Sequence, residues 1–213
     1  FLMPGLFNTE SLENIEQYDN NLFKGYGEIT FYTFPYASTP PDSPEMMKLY
    51  AVAGKHELVV MMHPNARQES QIENVLKKNP GVKFLIHGPE IENSISNILE
   101  KYPHAYYSID AILIRAPGSP GGLIYTTNDL QELKFSFNQN YDGMMNDAIN
   151  KWKSKIEKYP DRFMWGTDRA YLWHYDEDVS LLLEEFARTF IGRLSPEVQE
   201  KYAYRNAEKL LQG

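Results

Sequence analysis

The sequence contains no cysteine in its 213 residues, so disulfides are excluded and any bound metal must be held by histidine, aspartate or glutamate. It also lacks an excess of basic residues, since 21 lysines and arginines stand against 29 aspartates and glutamates, for a formal net charge of −8. This balance disfavours a nucleic-acid surface, which normally carries a basic patch. No apolar run reaches the roughly 18 residues that a membrane-spanning helix needs. We therefore expect neither nucleic acid nor membrane as a partner, and the absence of cysteine assigns no cellular compartment.

What the sequence does contain is an alternation of short apolar runs and amphipathic helices. Its hydrophobic content of 42% and charged content of 23% are ordinary for a globular protein. Between residues 57 and 111 three apolar runs, ELVVMMHP, VKFLIHGPE and HAYYSIDA, are separated by two predicted helices. Continuous apolar strands are typical of a parallel sheet that is buried on both faces.

Five strands are predicted, and each is followed by a helix or a long connection. The predicted strands are 24–34, 57–62, 82–86, 104–109 and 161–166; the predicted helices are 10–21, 44–54, 67–79, 91–102, 144–158, 177–192 and 196–211. This order predicts an α/β fold, either an open doubly wound sheet or part of an eight-stranded barrel. The barrel is favoured because polar residues recur at the strand ends along the whole series, whereas an open sheet concentrates its site at one switch point.

Four polar side chains lie at or near the ends of four different predicted strands: Glu28, His63, His87 and Asp168. In a parallel barrel the carboxyl ends of the strands meet at one mouth, which is where the chemistry gathers. Imidazole and carboxylate ligands suit Zn²⁺, and also Mn²⁺ or Fe²⁺ where carboxylates dominate. The pattern therefore predicts a divalent-metal site, with zinc as the first expectation.

The alternation of predicted strands and helices is interrupted between residues 111 and 143. Two short strands are predicted about a Pro/Gly turn at 116–122, followed by a polar stretch to Asn140. About thirty residues is too long for a simple connection, so a lid-like insertion is predicted after the strand at 104–109. Arg115 in this insertion is a candidate for binding a substrate carboxylate through its planar guanidinium, although a surface arginine is the simpler interpretation.

Several segments resemble the amidohydrolase superfamily, in particular its amidohydrolase-related branch of metal-dependent hydrolases and decarboxylases. The matching segments occur in the family's order and are GYGEITFY (25–32), LVVMMHP (58–64), NPGVKFLIHGPE (79–90), YPHAYYSID (102–110), DRFMWGTDRA (161–170) and YRNAEKLL (204–211). The resemblance implies a TIM-type (β/α)₈ barrel, to which this chain contributes roughly strands four to eight and the C-terminal helices. It covers almost the entire chain and is weak for any single substrate.

The same resemblance implies roles for the four polar residues. His63 would be the fifth-strand metal ligand, and His87 the sixth-strand histidine that ligates a metal or binds substrate and water. Asp168 would ligate metal and act as the general base. Glu28 occupies the fourth-strand position, which carries a bridging ligand in some relatives and no ligand in many mononuclear ones.

Two residues beyond the eighth strand are further candidates for contacting substrate. His174 lies just after that strand and therefore near the expected mouth. Arg169 follows Asp168 directly, at a position where relatives often carry an apolar or aromatic residue followed by proline. His56 and His104, by contrast, lie before a strand or at its start and are interpreted as surface and structural residues.

One large departure concerns the family's first strand, which supplies an H-x-H pair of ligands. This sequence contains no H-x-H, and no room remains before residue 24 for strands one to three. An open section of five strands would expose unpaired edges and a large apolar surface. We therefore expect the chain to be an N-terminally incomplete piece of a longer polypeptide; the alternative is a protein that lacks half of the site.

The expected activity is hydrolysis of a small ester, lactone or amide by metal-activated water, with Asp168 accepting the proton and His87 stabilising the developing oxyanion. A nonoxidative decarboxylase on the same scaffold is one alternative, and a barrel that has lost its metal and serves as a binding or structural protein is another. The expected partner is a small-molecule substrate, and a homo-oligomer is left open.

Overall fold

The computed structural model describes residues 1–3, 10, 22–109, 127–169 and 171–212. Its strands are β1 (Gly25–Thr30), β2 (Val59–His63), β3 (Phe84–Ile86), β4 (Ala105–Ile109) and β5 (Phe163–Trp165). Its helices are α1 (Pro44–Lys55), α2 (Glu69–Lys78), α3 (Ile95–Lys101), α4 (Leu130–Lys158), α5 (Glu177–Gly192), α6 (Pro196–Glu200) and α7 (Asn206–Gln212). Short 3₁₀ turns occupy Pro89–Ile91 and Leu172–Tyr175, and a π-helical turn occupies Lys201–Arg205.

The strands form one five-stranded sheet in the order β1-β2-β3-β4-β5, which is also their order in the sequence. The pairs from β1 to β4 are parallel. β5 adjoins β4, where the Tyr107 N–H donates to the Arg162 carbonyl at 2.9 Å. Each parallel step contains a helix, as right-handed βα crossovers require.

Helix ends follow the local sequence. Ser43 caps α1 through a hydrogen bond from the Met46 N–H, and Pro44 supplies the first helical residue. Asp129 caps α4 by accepting from two backbone N–H groups of its first turn. Among the helices in the described part of the chain, none combines the length and apolar character that crossing a membrane requires.

The described residues form two compact units. The first comprises Phe1–Ser108, Arg162–Met164 and Arg205–Gly213, and it contains the sheet apart from the last residue of β4 and of β5. The second comprises Ile109–Asp161 and Trp165–Tyr204. The prediction of a single barrel domain stays a prediction.

In the first unit, one face of the sheet buries Val59, Leu85 and Met164 against Leu210 of α7. The other face includes Phe84, whose ring contacts that of Tyr50 on α1 at a centroid distance of 5.5 Å. Both faces of the central strands are therefore covered, as their continuous apolar sequences predict.

In the second unit, α4 and α5 pack through Leu133 and Val179, both fully buried. Three rings extend this contact, since Phe137 and Tyr141 of α4 both lie edge-on to Phe186 of α5. The helical periodicity of these apolar residues is what places them on facing sides.

Two predicted helices are corrected by the structure. The helix expected at 144–158 begins at Leu130, because Asp129 provides an N-cap and the polar residues that follow form an exposed helical face rather than a loop. The helix expected at 196–211 is interrupted by the π-helical turn between α6 and α7. The predicted helix at 10–21 and the predicted hairpin after residue 110 lie outside the described residues, except for Glu10; the lid-like insertion stays a prediction.

Candidate metal centre

Two histidines lie where neighbouring strands end in the first unit. His63 is the last residue of β2, and His87 follows β3 directly. Side chains alternate between the faces of a strand, so His63 shares the face of Met61 and Val59, and His87 shares that of Leu85. Because Met61 pairs with Leu85 across the two strands, both imidazoles are directed to the same side of the sheet. Their ring centroids are 4.5 Å apart.

A bulge in β1 brings Glu28 to the same point. Tyr26 pairs with Val60 and Ile29 pairs with Met62, so two residues of β1, Gly27 and Glu28, oppose Met61 alone. The extra residue re-aims a side chain, which is a common use of bulges beside active sites. A Cβ at Gly27 would lie 2.4 Å from the Met61 carbonyl oxygen, so the close approach of the two strands at the bulge requires glycine.

The three side chains converge with short distances between their polar atoms. Oε1 of Glu28 lies 3.1 Å from Nδ1 of His63 and 3.0 Å from Nε2 of His87. One potential ligand atom from each of the three residues lies within 4.8 Å of the other two. His63 is 7% exposed and His87 1%, while the Glu28 side chain retains 30%. The centre is therefore buried on the imidazole side and open on the carboxylate side.

The carboxylate of Glu28 is strongly held in its charged form. Burial alone would raise the pKa of Glu28, but hydrogen bonds and charge interactions with His63 and His87 outweigh it and lower that pKa from 4.5 to about 2. Glu28 is thus an anion at neutral pH, and its Oε1 lies between the two imidazoles.

The donor set fits a divalent cation. Ligand atoms that are each about 2.0–2.1 Å from a Zn²⁺ ion are roughly 2.8–3.4 Å apart for bond angles between 90° and tetrahedral. The two distances from Glu28 lie inside this range. One carboxylate and two imidazoles are also the ligand types that zinc, manganese and iron share.

Two further residues surround His63, and the sequence analysis assigned neither a role. Glu90 places Oε2 at 3.0 Å from Nε2 of His63. The Tyr32 hydroxyl lies 3.2 Å from Nδ1 of the same ring, and the two rings meet edge-on with centroids 4.6 Å apart. A signal existed for Glu90, because Gly88-Pro89 after His87 predicts a tight turn that reverses the chain. No comparable signal marks Tyr32, which lies beyond the end of β1.

The remaining predicted residues belong to the second unit or lie outside the described residues. Asp168 is half-buried in the segment after β5, with φ of +44°, and its role as ligand and base stays a prediction. His174 is buried beside the rings of Tyr171 and Trp173. Arg169 donates to the Ser180 hydroxyl at 3.1 Å. The predictions that His174 and Arg169 contact substrate are untested, and Arg115 lies outside the described residues.

With this geometry in place, comparisons with known proteins identify the family. The amidohydrolase family model matches residues 3–213. The chain belongs to the amidohydrolase family. No curated protein matches the sequence significantly.

Solved structures with the same fold include hydrolases and a decarboxylase. A probable 2-pyrone-4,6-dicarboxylic acid hydrolase from Acinetobacter baumannii, with citric acid bound, has a TM-score of 0.63 at 10% identity over 100% of this chain and 72% of its own. A zinc-bound amidohydrolase from Burkholderia multivorans has a TM-score of 0.57 at 13% identity, covering 94% and 68%. A 2,6-dihydroxybenzoate decarboxylase complexed with 2,6-dihydroxybenzoate has a TM-score of 0.52 at 14% identity, covering 100% and 70%.

These similarities show the fold of the chain. The neighbours are TIM-barrel amidohydrolases, and this chain covers part of such a barrel with its five parallel strands and their helices. The predicted family and fold class are therefore confirmed. These neighbours include hydrolases and a decarboxylase, so the specific reaction is a separate question.

Proposed function

We propose that the chain is part of a metal-dependent hydrolase that cleaves a small ester, lactone or amide. The observation that carries the proposal is the convergence of Glu28, His63 and His87, with one donor atom of each within 4.8 Å of the others. These three side chains lie on or just after three neighbouring strands and form one candidate metal site. The resemblance described above is to metal-dependent enzymes, and zinc is the first expectation for the ion.

Each residue has a proposed part in the reaction. Glu28, His63 and His87 would hold a divalent ion. Such an ion lowers the pKa of a bound water molecule and polarises a substrate carbonyl. His87 is almost fully buried, which supports a ligand role over a direct hydrogen bond to a substrate oxyanion. The Tyr32 hydroxyl is half-exposed beside Nδ1 of His63 and would donate to an oxygen of the substrate. Asp168 is proposed to accept the proton of the attacking water.

A decarboxylase is the second candidate, and the specific observation in its favour is the fold shared with the 2,6-dihydroxybenzoate decarboxylase. The same three donors would then orient a carboxylated aromatic substrate. A third candidate, a binding protein without metal, would leave the charged Glu28 with the two imidazoles alone.

Metal and product measurements separate the three candidates. The purified protein is loaded with Zn²⁺ or Mn²⁺, its metal content is measured after gel filtration, and it is offered panels of lactones, esters, cyclic amides and hydroxybenzoates. Formation of the carboxylic acid product without CO₂ indicates hydrolysis, and CO₂ release indicates decarboxylation. His63→Ala and His87→Ala should abolish metal retention and turnover, while His56→Ala, outside the cluster, should leave both unchanged. Failure of the wild-type protein to retain metal would refute both enzymatic proposals.

A further inference from the structure

Both ring nitrogens of His63 face a carboxylate oxygen. Nδ1 lies 3.1 Å from Oε1 of Glu28, and Nε2 lies 3.0 Å from Oε2 of Glu90. A neutral imidazole carries one N–H and one lone pair, whereas an ionised carboxylate only accepts hydrogen bonds. With a single proton on the ring, one of the two carboxylates faces a lone pair, and a cation bound between them would satisfy both groups.

The two sides of the ring differ in what surrounds them. On the Nδ1 side, Oε1 of Glu28 is also 3.0 Å from Nε2 of His87, so a cation there would be within reach of three donors. On the Nε2 side, Glu90 is the carboxylate within hydrogen-bond distance. A cation held by these three residues would therefore lie on the Nδ1 side, which leaves the ring proton on Nε2.

The segment that carries Glu90 is held tightly against the ring. Gly88 has φ of +101°, and a Cβ at this position would lie 2.2 Å from Nε2 of His63. The buried Tyr107 hydroxyl donates to the Gly88 carbonyl at 2.8 Å, and Ile91 is buried at the other end of the turn. Glu90 is thus presented by a fixed loop rather than by a mobile surface side chain.

We propose that Glu90 is a positioning residue that accepts a hydrogen bond from the Nε2–H of His63 and so keeps the Nδ1 lone pair directed at the metal. This inference rests on the proposed metal site and adds to it the residue that sets its affinity. Carboxylates that orient metal-binding histidines in this way fix the tautomer and raise the basicity of the ligand nitrogen. Removing such a carboxylate typically weakens metal binding 10- to 100-fold.

Zinc affinity measured by competition with a chromogenic chelator tests the proposal. Glu90→Ala should raise the Kd for Zn²⁺ about 10- to 100-fold. Glu90→Gln should raise the Kd for Zn²⁺ less, because its amide oxygen still accepts a hydrogen bond. Since glutamine has nearly the same shape as glutamate, this variant shows whether the effect of Glu90→Ala comes from a disturbed loop. Glu73→Gln is the matched control, since Glu73 pairs with Lys101 on the surface of the same unit, and it should leave the Kd unchanged.

A spectroscopic measurement separates positioning from a merely structural role. In the zinc-loaded protein, long-range ¹H–¹⁵N spectra should show the His63 proton on Nε2, with the signal identified by its loss in His63→Ala. A proton on Nδ1, or a Glu90→Ala variant that binds zinc as tightly as wild type, would overturn the inference. Either of these two outcomes removes only the role of Glu90, and the metal site itself still stands, provided that wild type binds zinc and His63→Ala does not. If wild type binds no zinc, the proposed function and the inference both fall.

Discussion

Gly88→Ala is the substitution that tests the geometry of the candidate metal centre most directly. The new Cβ would stand 2.2 Å from Nε2 and 2.4 Å from Cδ2 of His63, and 2.9 Å from Oε2 of Glu90. Ordinary van der Waals contact begins at 3.4 Å, so either the imidazole or the loop must shift by about 1.2 Å. The substitution therefore displaces His63, or the loop that carries Glu90, without removing any of their polar atoms.

The expected cost has two parts. Placing alanine at φ of +101° holds a residue with a side chain in a sparsely populated backbone region, at about 1–3 kcal/mol. Forcing a methyl group into a packed contact adds about 1–3 kcal/mol. The free energy of unfolding should fall by about 2–6 kcal/mol in total. Metal–ligand distances tolerate only about 0.2 Å of variation, so a shift of the ring by more than 1 Å should weaken zinc binding more than tenfold.

Urea unfolding of the metal-free protein and chelator competition for Zn²⁺ measure the two effects separately. Gly81→Ala is the control, because a Cβ at Gly81 meets no atom within 4 Å and its φ is not positive. That variant should unfold within about 0.5 kcal/mol of wild type and bind zinc equally well. A Gly88→Ala protein with wild-type stability and wild-type zinc affinity would refute the close approach of the 88–90 loop to His63.

Two further predictions concern charge and helix capping. Burial would raise the pKa of Glu28, but hydrogen bonds and charges outweigh it and lower this pKa on folding from 4.5 to about 2. Between these pH values the unfolded chain binds more protons than the folded one. The stability of the metal-free protein should therefore fall as the pH drops from about 5 towards 2. The loss attributable to Glu28 is at most about 3 kcal/mol, so Glu28→Gln should flatten the dependence of the unfolding free energy on pH, and equal slopes would contradict the shift. Asp129→Ala removes the N-cap of α4 and should lower the free energy of unfolding by about 1 kcal/mol. Asp142→Ala, on the exposed face within the same helix, is the control and should not be destabilising. Both are measured by urea unfolding, and equal effects would place the helix start elsewhere.

The α/β class and the order of the strands could be predicted because both follow from local patterns. Apolar runs of strand length, bounded by turn residues such as Pro80-Gly81 and Pro103, indicate buried parallel strands without any knowledge of the tertiary structure. The start of α4 was missed because polar residues outnumber apolar ones between Leu130 and Gly143, although Leu130, Leu133 and Phe137 follow a helical spacing. The cap at Asp129 was the signal that a capping analysis could have found.

The candidate site was predictable only in part. His63 and His87 could be chosen because each follows an apolar run, and the chemistry of parallel sheets gathers at that end of the strands. Glu28 could be suspected as a polar residue in an apolar strand, but its direction depends on the bulge opposite Met61, which the sequence does not display. The structure brings these three together, and their role as metal ligands stays a prediction.

By itself the sequence determined the succession of strands and helices and the two histidines at strand ends, because hydrophobic periodicity and turn residues act over a few neighbouring positions. Only the tertiary structure decided which groups meet His63. Glu90 is 27 residues away from it and Glu28 is 35, so their contacts depend on strand register, on the bulge in β1 and on the tight loop at Gly88. A shift of one residue in register would turn a side chain to the opposite face of the sheet, and no local pattern specifies that alignment to the ångström.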